Sequence, residues 1–147
     1  MLYELIEIRL DKALALAWDS EFQKAYAELD LLLRMYPDDI RVHDLYAQVL
    51  EGEVYSFGEG YGRSDEKLRR ARRHEYYVLR HCPDLKNACV YRAIDALAGQ
   101  ARVCGKKRYV IQLEQILHQV YGHPIWDASK YATHDSPYAR GESVEEW

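Results

Sequence analysis

Three features of this 147-residue chain predict an all-α fold. Apolar residues recur at helical spacing in successive segments along its length. Helix breakers are scarce, 4 Pro and 8 Gly in all, so long helices with short connections are expected. No segment alternates apolar and polar residues as a half-buried strand does. With 48% hydrophobic and 30% charged residues, the chain has the composition of a globular domain with a sizeable core.

The first helix is expected over residues 2–18, where Leu2, Leu5, Ile6, Ile8, Leu10, Ala13, Leu14 and Ala17 follow the helical period. Asp19-Ser20 interrupts it, and Ser20 is a suitable N-cap for the second helix. That helix sets Phe22, Ala25, Leu29, Leu32 and Leu33 on one side and stops at Tyr36-Pro37. The third carries Val42, Leu45, Tyr46, Val49 and Leu50 and runs to about residue 57. A glycine-rich stretch, "EVYSFGEGYGRS" over residues 53–64, separates it from the fourth helix. Ser64 caps that helix, Asp65 and Glu66 suit its positive N-terminus, and Cys82-Pro83 ends it. A fifth helix is expected over about residues 84–98, stopping at Gly99, and a sixth over about 106–121, stopping at Gly122.

Shifting the sequence by forty-six residues superposes Ala25 on Ala71, Leu33 on Leu79, Arg34 on Arg80, Pro37 on Pro83 and Ala47 on Ala93. A small residue at the same point of paired helices lets two backbones approach, and a proline after the second fixes the turn into the next pair. Such hairpins each leave an apolar face open, and stacking closes those faces into one core. Ala13, Ala25 and Pro37 have the separations of a further known unit. The pattern resembles the tetratricopeptide repeat, a helical hairpin of about 34 residues. Ile6 to Asp39 forms one unit; Ala47, Ala71 and Pro83 form a second if twelve extra residues lie between its helices. Ala93 opens a third, which departs from the pattern at Gln112, before Pro124. The bulky aromatic expected early in each first helix is missing, and alanine replaces the family's glycine.

The resemblance implies a right-handed stack of about three antiparallel hairpins over residues 1–124. The aromatic-rich residues 125–147 would then pack on the last hairpin as a cap, with Trp126 and Tyr131 covering it. It also implies a concave face lined by Glu7, Leu10, Asp11 and Leu14, by Arg41, Asp44, Leu45 and Gln48, and by Asn87, Val90, Tyr91 and Ile94. The expected peptide-binding residues are therefore Glu7, Asp11, Arg41, Asp44, Gln48, Asn87 and Tyr91, and the expected role is that of an adaptor or chaperone. The partner would be another protein or a peptide segment, with a homo-oligomer left open.

A second reading starts from "KLRRARRHEYY". On a helix, Arg69, Arg72, Arg73 and Arg80, with Tyr76, form a basic outer face that could meet RNA. Arg69 and His74 are spaced as Arg-x4-His, which resembles the catalytic motif of helical ribonucleases of the HEPN type. The net charge of −4 argues against a general nucleic-acid binder, and solvated surface is the simpler account of these arginines. No catalytic residue is otherwise indicated. His118 and His123 stand five apart, whereas a helical metal pair wants four, so neither a metal nor a cofactor is expected. Cys82, Cys89 and Cys104, an odd number without a Cys-x-x-Cys pair, are expected to be free thiols in a reducing cytoplasm. Glu4 and Glu7 precede the first cation, so the N-terminus does not read as a secretion leader, and no stretch is apolar enough to span a bilayer.

Overall fold

The computed structural model describes residues 2–56, 65–123 and 146–147. Among them the elements are helices alone: α1 (Leu2–Trp18), α2 (Phe22–Met35), α3 (Ile40–Ser56), α4 (Asp65–His81), α5 (Ala88–Val103) and α6 (Lys107–Tyr121). The chain divides into two compact units, Met1–His81 and Cys82–Trp147. No helix among the described residues is long and apolar enough to cross a membrane.

In the first unit α1 pairs with α2, α3 packs on both, and α3 and α4 form the most extensive pair. Because α3 has neighbours on three sides, nearly all of it is covered: Val42, Leu45, Tyr46, Ala47, Val49, Leu50 and Val54 are buried. The small residues stand where helices meet. Ala13, Ala25, Ala47 and Ala71 share one cluster with Phe22, Leu29, Tyr46 and Leu50. Ala47→Leu is therefore expected to cost on the order of 1–3 kcal/mol by overpacking. Ala15, exposed on α1, supplies the control, with Ala15→Leu staying within about 0.5 kcal/mol. Urea denaturation of both variants checks this; equal effects would mean that α3 has room to spare at Ala47.

The α1–α2 corner corrects one expectation. Ser20 does not cap α2; Glu21 holds that place and makes no side-chain cap bond. Ser20 instead adopts φ 60° just past the end of α1. Its N–H reaches the Ala17 carbonyl at 3.0 Å, and the Glu21 N–H reaches the Leu16 carbonyl at 2.8 Å. This is the Schellman closure, in which a left-handed residue turns two N–H groups back onto carbonyls the helix leaves open. At the next corner, Tyr36 ends α2 as Pro37 requires, and the Asp39 carboxylate accepts the Arg41 backbone N–H at 2.9 Å, opening α3.

The second unit holds the α5–α6 hairpin. Asn87 caps α5 by accepting the Cys89 N–H at 2.8 Å, so the helix begins later than expected. It also ends later, and the expected stop at Gly99 is corrected. Ala98, Gln100 and Ala101 are fully buried, and that burial outweighs the roughly 1 kcal/mol that glycine costs inside a helix. The stop is Gly105, at φ 68°, with the Lys106 N–H on the Ala101 carbonyl at 2.9 Å. Val90, Ala93, Ile94 and Leu97 of α5 are buried, as are Leu113, Ile116 and Leu117 of α6. Arg102 pairs with Glu114 across the hairpin, and the Tyr121 hydroxyl donates to the Leu85 carbonyl. Trp147 lies against Tyr109 of α6, ring centroids 4.6 Å apart. Trp126, Tyr131, Ser64 and the glycines of residues 57–64 lie outside the described residues. None of the three cysteines forms a disulfide; Cys89 is buried and Cys104 exposed.

Candidate functional site

The first unit presents a face built jointly by α1 and α3. Near its start, Arg41 of α3 stands 3.9 Å from Glu7 of α1. Near its end, Leu14, Ala17 and Trp18 of α1 line a pocket of about 300 Å³ with Phe22 of α2 and Gln48 and Gly52 of α3. Early residues of α1 thus meet early residues of α3, and late meet late, so the two helices run in the same direction. Trp18 is 80% exposed and Leu14 38% exposed, so both present apolar surface to solvent beside the pocket. Gly52 leaves space: a Cβ added there would meet nothing within 4 Å.

The residues expected to bind peptide are distributed unevenly. Glu7, Asp11 and Gln48 are exposed, whereas Asp44 is buried. Arg41 grips Asp39 through two guanidinium bonds, at 3.0 and 2.7 Å, and that pairing holds the Asp39 carboxyl below its usual range. In the second unit Asn87 is occupied as a cap, and the half-buried Tyr91 hydroxyl lies 2.9 Å from His123 Nε2. Val90, Ile94 and Leu45, which the resemblance placed on a binding wall, are core side chains here.

The chain matches no family model, no curated protein and no solved structure in these comparisons.

The basic helix is less uniform than its sequence. Arg69, Arg73 and Arg80 are exposed on α4, but Arg72 and Tyr76 are buried, which corrects the expectation of one continuous outer face. Burial, then nearby Glu51, raises the Glu75 carboxyl well above its usual value against the pull of Arg72. Arg69 turns toward Glu66 at 3.8 Å. His74, its partner in the Arg-x4-His spacing, points into a different environment.

That environment is a column of rings between α2, α3 and α4. Tyr26 stacks on Tyr46 (centroids 5.8 Å apart) and Tyr46 on His74 (4.6 Å). His74 meets His43 at 5.1 Å, His43 stacks on Tyr77 at 3.7 Å, and Tyr77 on His81 at 3.9 Å. Several of their polar atoms find partners in or beside the column. The Tyr46 hydroxyl donates to Asp30 at 2.7 Å and accepts from Arg70 at 3.0 Å. The Tyr26 hydroxyl donates to Glu53, whose other oxygen accepts from Lys67 at 2.8 Å. His43 Nε2 is 2.8 Å from the Pro37 carbonyl, which can only accept, so that nitrogen carries the proton. His43 Nδ1 is then the lone-pair nitrogen, and His74 Nδ1, 2.9 Å away, donates to it.

Burial governs the protonation of this column. It pushes His74 down to about 4, helped by His43 and Arg70, and lowers His43 as well. It pushes the Tyr46 hydroxyl up to about 12, and raises Tyr26 well above its ordinary value with help from Glu53. At neutral pH His43 and His74 are therefore uncharged, and Tyr26 and Tyr46 keep their protons. A trace of the column is present in the sequence. Arg70, His74, Tyr77 and His81 recur every three or four residues, as do His43 and Tyr46, so each set shares one helix face.

Proposed function

We propose that this chain is a peptide-binding scaffold of the tetratricopeptide kind, an adaptor or chaperone that seats an apolar side chain of another protein between α1 and α3. The pocket with Leu14 and Trp18 at its edge carries the reading, because an open apolar pocket beside exposed apolar surface is what an anchor side chain needs. Register supports it. Glu7 and Arg41, Leu14 and Gln48, and Trp18 and Gly52 each lie 34 positions apart, and each pair occupies the same stretch of the shared face. A repeat of about 34 residues sets equivalent positions of successive first helices side by side in this way. On this reading the three hairpins stack as a short right-handed solenoid, and the protein works in the cytoplasm.

Gly52→Leu tests it by filling the pocket without a clash at the Cβ. Binding of fluorescein-labelled amphipathic helical peptides, each with one leucine or tryptophan anchor, is measured by anisotropy. Affinities in the micromolar range are expected, weakened about tenfold or more by Gly52→Leu while the melting temperature holds or rises. Equal binding by the parent protein and the variant would remove the pocket from the account.

A further inference from the structure

We infer that the segment seated in this pocket is basic: an apolar anchor flanked by lysine or arginine. This rests on the pocket being a peptide seat and adds the charge of the occupant. The residues lining the pocket are uncharged, so the anchor itself is apolar. Its surroundings are acidic. Asp11 stands one turn before Leu14, and Asp19 follows Trp18; both are exposed, and neither has an ion-pair partner among the described residues. Lys12 is engaged with Glu28 at 2.8 Å and Lys24 with Glu21 at 3.1 Å, while Arg41, at the other end of the face, is engaged with Asp39 at 2.7 Å.

The backbone adds to this field. α1 and α3 both direct their negative C-terminal ends toward the pocket side of the face. α2 begins there with its positive end, one against the two negative ends of α1 and α3, and Glu21 at its cap position is already paired with Lys24. Trp18 supplies a separate attraction, because an exposed indole ring draws a lysine or arginine over its face. An acidic flank would meet the two aspartates, and a neutral one would forgo both attractions.

Three labelled helical peptides with the same leucine anchor, flanked by lysine, glutamine or glutamate, distinguish the possibilities by anisotropy. At low salt the lysine peptide is expected to bind about tenfold tighter than the glutamate peptide, with glutamine between them. The advantage should shrink at about 0.5 M NaCl, where exposed charges are screened. In an Asp11→Asn/Asp19→Asn variant the gap between the lysine and glutamate peptides should close. Equal binding of the three, or preference for glutamate, combined with sensitivity to Gly52→Leu, overturns the basic partner and leaves the pocket reading standing. Binding by none of the three, or binding indifferent to Gly52→Leu, overturns both.

Discussion

Tyr46→Ala is expected to destabilise the first unit by roughly 3–5 kcal/mol, the range for truncating a large buried ring. Tyr46 is 1% exposed and sits between Tyr26 and His74 in the ring column. Its removal opens a cavity where α2, α3 and α4 meet, and it also deprives Asp30 and Arg70 of a common partner. The Arg70 guanidinium lies 5.7 Å from the ring centroid, so a cation–π contact goes as well. Tyr46→Phe separates the two contributions. It keeps the stacking and loses only the hydroxyl, for about 1 kcal/mol, since Asp30 is exposed and recovers water. Urea denaturation followed by circular dichroism measures both. If the alanine variant fails to fold, the phenylalanine variant still gives a graded value. A loss under about 1 kcal/mol for Tyr46→Ala would show that the column does not hold the three helices together.

What the sequence made legible follows the range of the physics involved. Helix existence and most limits were readable because period and proline act locally: α1 occupies its expected span, and α2 stops at the residue before Tyr36-Pro37. Ser20 was misplaced because a serine beside a helix start satisfies a local rule, while the turn needed a left-handed residue there. Gly99 was misread as a stop because its cost is small beside the packing of Ala98, Gln100 and Ala101. Leu14 and Gln48 line a pocket that the periodicity alone does not disclose. It depends on Gly52 and on the α1–α2 corner, and neither carries a motif. Least legible was the ring column. His43 and His74 stand thirty-one residues apart, on helices joined by the segment outside the described residues, and only their packing reveals the pair.

That pair predicts how acid acts on the fold. His43 Nε2 gives its hydrogen to Pro37, so its Nδ1 must receive one from His74. With both rings protonated, two N–H groups would face each other at 2.9 Å. The groups facing the pair are Asp38 and Asp39 from the α2–α3 connection, Asp30 from α2, Tyr46 from α3, and Arg70, Tyr77 and His81 from α4. The acids pull toward protonation, but burial prevails, with Arg70 opposing His74 and His81 opposing His43. Both folded-state values therefore lie below that of the unfolded chain. The unfolded state takes up protons first, so stability from the pair is complete above about pH 6.5 and declines as pH falls toward about 4. Between about pH 7.5 and about pH 5, His74 alone should account for a loss of about 2 kcal/mol, with His43 adding in the same direction. Asp39, held below its usual range, contributes a loss only at lower pH. Glu75, held above its usual range, acts with the opposite sign and favours the folded state on acidification. The readout is therefore a difference between proteins. In His43→Phe/His74→Phe two rings of similar shape remain and neither titrates. Relative to that variant, the parent protein should lose about 2 kcal/mol or more in urea denaturation across this window. Parallel pH profiles for the two proteins would show that the imidazoles are not held neutral by the packing of α3 against α4.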